Sequence, residues 1–217
     1  MIKAINIEKS YNGEKVLKSV SLHVERGEFV TIMGESGSGK STLLSILGGH
    51  LAPDDGSVLW NGWNVAEMGE DKAARLRCTE MGFVFQSYQL IPTLNVMDNL
   101  LLPATIGGKL SPDLYAYVQD LVAELEVGDL LDKYPDQLSG GQCQRVAILR
   151  ALAYQPVILI LDEPTGALDS RMEKKVMDLL SFLNREGGVT ILQVTHSRAV
   201  AQYGTRIIYL KDGEIVQ

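Results

Sequence analysis

A short glycine-rich segment carries the residue types that bind a phosphate chain. Glycines let the backbone curl so that several N–H groups point at one anion, and a helix that begins there adds the positive end of its dipole. We therefore predict that Lys40 reaches the β- and γ-phosphates of a nucleotide, that Ser41 binds Mg²⁺, and that Thr42 lies beside the α-phosphate. The P-loop pattern G-x-x-x-x-G-K-[ST] is matched by Gly34, Glu35, Ser36, Gly37, Ser38, Gly39, Lys40 and Ser41.

Two adjacent carboxylates follow a run of apolar residues. Residues 157–161 are continuously apolar, as in a strand that is buried on both faces, and Asp162 and Glu163 come next. Ligands of a parallel sheet bind at the carboxyl ends of its strands. We predict that Asp162 holds the Mg²⁺ shell and that Glu163 is the general base for an attacking water. Phosphoryl transfer depends mainly on positioning and charge stabilisation, so a metal and a fixed base suffice for hydrolysis.

A second glycine turn precedes another helical pattern, which runs through Val146, Leu149 and Ala153. Such a turn at a helix N-terminus binds an anion readily, although alone it fits the plain N-cap of a structural helix equally well. The chain thus offers two anion-binding helix starts but one phosphate-binding lysine. This imbalance predicts a dimer in which the second turn closes over a nucleotide held by another copy. That turn is formed by Ser139, Gly140, Gly141 and Gln142.

The segments between these motifs read as an α/β protein. Alternating strands and helices indicate a largely parallel sheet that is covered by helices, with a helical insertion at about 87–137. Trp60 and Trp63 flank a predicted Asn-Gly turn and could form the core of a hairpin or a contact with a partner, and we favour the core. Strands are predicted at 2–8, 20–24, 28–33, 157–162 and 189–194, helices at 40–47 and after Ser111-Pro112, and hairpins around Asn61-Gly62 and Asp212-Gly213.

The composition disfavours some classes of function. The 217 residues carry a net charge of −7, whereas a protein that grips nucleic acid along a broad surface is usually basic, so no nucleic acid partner is expected. No apolar run approaches the roughly 20 residues of a membrane-spanning helix, and Met1 is not followed by the apolar core of a signal peptide. We expect a soluble, cytoplasmic protein whose membrane role comes through a partner.

In this order, the motifs resemble the nucleotide-binding domains of the ABC (ATP-binding cassette) superfamily over the whole chain. Residues 138–142, LSGGQ, match the family signature without change. The resemblance implies that Tyr11 stacks on adenine and that His196 contacts the γ-phosphate. It also implies that Gln86 contacts Mg²⁺ or the attacking water and senses a membrane partner, and that residues 167–169 cross a dimer interface.

The same resemblance implies a single ABC ATPase domain over residues 1–217, with the α/β fold of a RecA-like P-loop NTPase. The core, with an antiparallel β-subdomain, would comprise 1–86 and 151–217, and a helical subdomain with the signature would comprise 87–150. Two copies would bind ATP and Mg²⁺ head to tail and drive an integral membrane permease at the inner face of the cell membrane. The stretch 82–103 resembles the group that serves lipoprotein release, macrolide export and antimicrobial-peptide resistance.

Three other functions stand beside this one. A soluble ABC ATPase of translation or DNA repair would carry two cassettes or long coiled-coil or zinc insertions, and this sequence shows neither. A nucleotide-binding regulator without turnover is disfavoured by Glu163 and His196. A mechanical or signalling ATPase, which pulls on a membrane protein without transport, is not separated from a transporter subunit by the local sequence.

Overall fold

The structure is a computed structural model that describes residues 1–216. Within that range the strands are β1 (Ile2–Tyr11), β2 (Glu14–Val24), β3 (Phe29–Met33), β4 (Asp55–Trp60), β5 (Trp63–Asn64), β6 (Met81–Val84), β7 (Ile158–Asp162), β8 (Thr190–Thr195), β9 (Arg206–Lys211) and β10 (Glu214–Val216). The α-helices are α1 (Lys40–Leu47), α2 (Glu70–Glu80), α3 (Val96–Ile106), α4 (Pro112–Glu124), α5 (Gly140–Leu152), α6 (Ser170–Arg185) and α7 (Arg198–Ala201).

A six-stranded sheet with the order β10-β9-β3-β8-β7-β6 forms the centre of the molecule. Its strands pair in parallel except for β10, which is antiparallel to β9, so the predicted largely parallel sheet is confirmed. Every residue of β3, β7 and β8 is buried, which for β7 was predicted from its continuous apolar run. Because these three strands are parallel neighbours, the segments that follow them meet at one edge of the sheet.

A second, antiparallel sheet has the order β2-β1-β4-β5. Its predicted Asn-Gly turn is present, with φ of 49° at Asn61 and 87° at Gly62, the pair of left-handed residues that a type I′ turn requires. Trp60 is buried as expected and donates from Nε1 to the carbonyl of Leu47 at 2.8 Å. The interpretation of Trp63 as core was wrong: it is 64% exposed, because β5 is a two-residue strand at the edge of the sheet, where the ammonium group of Lys72 in α2 lies 4.4 Å from the centre of the ring.

Helices α3 and α4 follow β6 and form the predicted helical insertion, and α5 begins at the second glycine turn, as predicted. Ser111 caps α4 by accepting a hydrogen bond from the Leu114 amide at 3.1 Å, as its position before Pro112 predicted. The apolar residues of α5 belong to one continuous core cluster with residues of α3, α4, β6, β7 and α6. The division into a core and a helical subdomain stays a prediction, because this cluster spans the proposed boundary.

Candidate functional site

The glycine-rich turn lies between β3 and α1 and is shaped by close backbone approaches. Gly39 has φ of 96°, and a Cβ there would lie 2.9 Å from the carbonyl oxygen of Val16. A Cβ on Gly34 would overlap the carbonyl oxygen of Leu210. No side chain caps the N-terminus of α1, so its first amide groups are left for an anion.

Lys40 occupies the inside of this turn. Its side chain is only 9% exposed, and its ammonium group donates to the carbonyl oxygen of Glu35 at 2.7 Å. The cation is therefore held over the loop by the loop's own backbone, at the helix end where phosphate oxygens would bind. A nearly buried ammonium group needs compensating charge, and an anion supplies it more fully than one carbonyl does.

Asp162, the last residue of β7, lies beside the start of α1. It is 6% exposed, and its Oδ1 has no hydrogen-bond partner among the described atoms. Burial raises the pKa of Asp162, while a hydrogen bond from Ser41 lowers it and the charge of Glu163 raises it further. A buried, unpaired carboxylate oxygen beside a serine hydroxyl fits a divalent cation such as Mg²⁺, which takes oxygen ligands from one or two carboxylates and from phosphates.

Glu163 and His196 form a hydrogen-bonded pair at the same edge of the sheet. Glu163 Oε1 lies 2.7 Å from His196 Nδ1 and accepts the backbone N–H of His196 at 3.0 Å, while Oε2 accepts from the Thr195 hydroxyl at 3.1 Å. Glu163 has φ of 48°, in the left-handed region, and its N–H donates to the Val194 carbonyl at 3.0 Å. The β8 terminus thus fixes the orientation of this carboxylate, which a general base requires.

Most of the predicted site residues line one open cavity of about 800 Å³. Lys40 and Glu163 both line this space, which is large enough for a nucleotide. Gly34, Glu35 and Ser38, the other predicted residues of the loop, are not among those that line it. The predicted residues that line it are Tyr11, Ser36, Gly37, Gly39, Lys40, Ser41, Thr42, Gln86, Asp162, Glu163 and His196.

The second predicted anion turn does not reach that cavity. Ser139 caps α5 by accepting from the Gln142 amide at 3.3 Å, and the Gln142 side chain accepts the Ser139 amide at 2.8 Å. Ser139 and Gly140 are exposed. A Cβ on Gly141 would lie 2.9 Å from the carbonyl oxygen of Ala167, so this glycine is also needed for packing within the chain.

Among the lining residues that the sequence analysis did not single out, two have polar side chains, Tyr88 and Gln144. Gln144 on α5 is 2% exposed, and its Nε2 has no partner among the described atoms. The sequence offered one signal for Gln144: it is the polar residue on a helix face that it shares with Ala147, Ile148 and Ala151, which are apolar. Tyr88 lies in the loop after β6, where no periodicity points to it.

The fold and the cavity together define a P-loop nucleotide hydrolase whose cavity has two adjacent carboxylates, Asp162 and Glu163, at the carboxyl edge of a parallel sheet. A family model for ABC transporters matches residues 17–166. The chain belongs to the ABC transporter family and has the α/β ABC ATPase fold, so the resemblance is confirmed. It is an ATP-binding protein of the ATPase class.

Individual relatives cover nearly the whole chain. The lipoprotein-releasing system ATP-binding protein LolD of Aquifex aeolicus is 46% identical over 216 residues, which is 100% of this chain and 96% of that protein. The bacitracin export ATP-binding protein BceA of Halalkalibacterium halodurans is 41% identical over 219 residues, 99% of this chain and 87% of that protein. A dimeric structure of the cassette MJ0796, in a post-hydrolysis state bound to ADP and Pi, has a TM-score of 0.94 at 42% identity and covers 100% of this chain and 97% of that one.

Within residues 1–216, no helix combines the length and the apolar character that crossing a bilayer requires.

Proposed function

We propose that two copies of this chain bind two Mg-ATP molecules head to tail and drive an integral membrane permease from the inner face of the cell membrane. One observation carries the proposal. The P-loop opens into the nucleotide cavity, whereas the Ser139-Gly140-Gly141 turn is exposed outside it. A second copy in head-to-tail orientation would supply the missing turn to each cavity. The dimeric form of the solved MJ0796 cassette supports this arrangement.

Each nucleotide would be held mainly by one copy. Lys40 and the uncapped amides of α1 would bind the β- and γ-phosphates, with Thr42 near the α-phosphate. Tyr11 is 47% exposed at the cavity wall and offers a free ring face for adenine. Ser41, Asp162 and Gln86 would hold Mg²⁺, which neutralises charge on the phosphate oxygens when it is bound.

Glu163 would act as the general base for hydrolysis. Its carboxylate would take a proton from water while the water oxygen bonds to the γ-phosphorus and the bond to the β-phosphate oxygen breaks, leaving ADP and phosphate. His196, 2.7 Å from Glu163, would contact the γ-phosphate. The partner copy would add the Ser139 hydroxyl and the Gly140 and Gly141 amides to the same phosphate.

The permease would dock beside Gln86 and the helical insertion. Just before Gln86, a partly exposed aromatic cluster is formed by His50, Phe83 and Phe85, with the two phenyl rings stacked at 4.1 Å and His50 edge-on to both. Burial lowers the pKa of His50 to about 4, with the charge of Arg77 adding to the effect, so this surface is neutral at physiological pH. A short amphipathic helix of the permease would fit such a surface.

The substrate class is proposed from the relatives. Their names refer to lipoprotein release and to bacitracin export. We infer that the permease of this chain exports or extracts a peptide, a lipoprotein or a drug. The second candidate is a non-transporting assembly, in which ATP closure signals mechanically through the membrane partner in cell division or drug sensing. The cytosolic site would be the same in both cases.

Trapping the dimer tests the core of this proposal. Glu163→Gln removes the base and keeps the shape of the side chain, so it should bind Mg-ATP, fail to hydrolyse it and form a dimer at saturating Mg-ATP in light-scattering chromatography. The control is the double variant Glu163→Gln with Ser139→Arg, which should bind one nucleotide per chain and remain monomeric. A Glu163→Gln protein that stays monomeric with bound Mg-ATP would contradict the head-to-tail arrangement.

A further inference from the structure

The segment that carries Gln86 has an unusual backbone. Tyr88 and Gln89 follow each other with φ of 62° and 50°, in the left-handed region that residues other than glycine seldom adopt. Tight turn contacts accompany them: the Tyr88 amide donates to the Phe85 carbonyl at 3.0 Å and the Gln89 amide to the Ser87 carbonyl at 2.6 Å. Such a conformation persists where surrounding structure enforces it, so contacts from outside the segment must hold it.

Arg150 on α5 provides those contacts. One of its terminal nitrogens donates to the Tyr88 carbonyl at 2.8 Å and the other to the Gln89 carbonyl at 2.5 Å. The guanidinium group is largely buried, and burial lowers its pKa. Within residues 1–216 it forms no ion pair with a carboxylate, so these two carbonyl dipoles are the compensation that its charge receives there. The planar guanidinium group of arginine has donors on two terminal nitrogens, which suits it to bind two adjacent carbonyls at once.

The opposite end of α5 contacts the same segment. A Cβ on Gly140, the first residue of α5, would lie 3.3 Å from the Tyr88 hydroxyl. Arg150 follows ten residues later, about 15 Å along the helix axis. Tyr88 therefore lies alongside α5, with its hydroxyl near the glycine turn and its carbonyl bound by the long side chain of Arg150. The Gln86 segment and the Ser139-Gly140-Gly141 turn are thus joined through one rigid helix.

We propose that Arg150 is a positioning residue that fixes the Gln86 segment to α5, so that Gln86 and the Ser139-Gly140-Gly141 turn move as one unit. The inference rests on the proposed function, in which that turn clamps the nucleotide of the partner copy. Clamping would then set Gln86 at the metal of its own nucleotide. Binding at one cavity of the dimer would in this way prepare the other for hydrolysis, through side-chain contacts that are already present in the single chain.

The test compares two arginines of the same helix. Arg150→Lys keeps the charge but loses the two-pronged contact. The matched control is Arg145→Lys, because Arg145 also donates to two backbone carbonyls, those of Leu125 and Glu126 at 2.9 and 2.8 Å, at the far side of the helical insertion. Arg150→Lys should lower kcat about tenfold or more and raise the Mg²⁺ concentration for half-maximal activity, since small displacements of positioning groups are costly to turnover. ATP affinity of the single chain should not change, and Arg145→Lys should leave kcat and Mg²⁺ dependence near the native values.

Hydrogen exchange without nucleotide gives a readout that does not depend on activity. Amides of residues 85–92 should exchange faster in Arg150→Lys and at the native rate in Arg145→Lys. Equal exchange rates in the two variants would overturn the positioning role. So would a loss of kcat in Arg150→Lys that matches its loss of thermal stability and that Arg145→Lys shows as well. Failure of the proposed function has a different signature: the native protein would not hydrolyse ATP, or Glu163→Gln would not dimerise, whatever residue 150 is.

Discussion

The two helices that begin with glycine turns, α1 and α5, treat their first amide groups in opposite ways. The N-terminus of α1 has no side-chain cap, and the helix is enclosed in the core by Leu43, Leu44 and Leu47. The N-terminus of α5 is capped twice, by Ser139 and by the side chain of Gln142, at the surface. The first turn therefore has an unmet need for an anion, whereas the second satisfies the Ser139 and Gln142 amides within the chain and leaves the Gly140 and Gly141 amides for a ligand.

The surrounding charges follow the same division. The start of α1 has the ammonium group of Lys40 inside its turn and the carboxylate of Asp162 beside it, where a cation would balance both phosphate and carboxylate. The start of α5 has no lysine or arginine in its turn, so it can add hydrogen bonds to a phosphate but cannot neutralise one. The proposed function assigns the α1 turn the role of primary site and the α5 turn the role of a lid, and four predictions test this division.

Removing the cation of the α1 turn should have the largest effect. Lys40→Ala deletes charge-assisted hydrogen bonds at an almost fully buried position, so affinity for Mg-ATP should fall by about 100-fold or more. Titration calorimetry on the single chain measures this directly. Ser139→Ala is the paired control and should leave that affinity unchanged. If both variants bound Mg-ATP with native affinity, α1 would not be the primary site.

Blocking the α5 turn should abolish turnover and spare binding. In Ser139→Arg the large side chain would fill the space that the partner's phosphate needs, so kcat should fall about 100-fold or more. Mg-ATP affinity of the single chain should stay within about twofold of native, because residue 139 lies outside its own cavity.

Ser139→Arg also removes the N-cap of α5, so the effect of losing the cap must be measured separately from the effect of blocking the phosphate. Ser139→Ala removes the same capping hydroxyl and should cost about 1 kcal/mol of helix stability, with a smaller effect on kcat than the arginine variant. Thermal unfolding measured beside turnover compares the two variants. Native turnover in Ser139→Arg would mean that the α5 turn is only a helix cap.

Loss of the contact with adenine should lower ATP affinity by a smaller factor. Tyr11→Ala removes one stacking face, so affinity for ATP should fall about tenfold, while Tyr11→Phe should bind as the native protein does. Inorganic tripolyphosphate has no base, so its affinity should be the same in all three proteins. An equal loss for ATP and tripolyphosphate in Tyr11→Ala would show that Tyr11 shapes the P-loop instead of contacting adenine.

Elements with strong local signals could be predicted from the sequence. The helix at 40–47 has the predicted bounds, and the buried strands β7 and β8 lie within one residue of theirs. The P-loop was readable because its chemistry is contained in eight consecutive residues. Residues 61 and 62 adopt the predicted turn for the same reason, since their conformation is local.

Features that depend on neighbours in space could not be predicted in this way. Glu163 is oriented by Thr195 and His196, which are more than thirty residues away, through the adjacency of β7 and β8 in the sheet. Trp63 was assigned to the core because nothing local distinguishes it from Trp60, and its exposure follows from the short edge strand. The placement of Gln144 at the cavity likewise needs the packing of α5 on the sheet.

The smallest effect should come from a polar contact that steadies the flank of α5. Arg145 of α5 holds the carbonyl of Glu126, and the Glu126 side chain pairs with Arg171 through two hydrogen bonds of 2.8 and 2.7 Å. The hydrogen bonds from Arg171 lower the pKa of Glu126 to about 2. Because the folded pKa lies below the unfolded value near 4.5, the pair stabilises the fold above that pH and loses its effect as pH falls toward 2.

Glu126→Gln should therefore lower Tm slightly at pH 7, and the difference from the native protein should shrink as pH is lowered from about 5 to 3 and as salt is raised. Differential scanning calorimetry across that range measures it. Mg-ATP affinity of the single chain should not change, because α1 is held by apolar packing and not by this contact. A loss of Mg-ATP affinity in Glu126→Gln would show that the flank of α5 also supports the α1 site. The division between the two turns would then be less complete than the structure indicates.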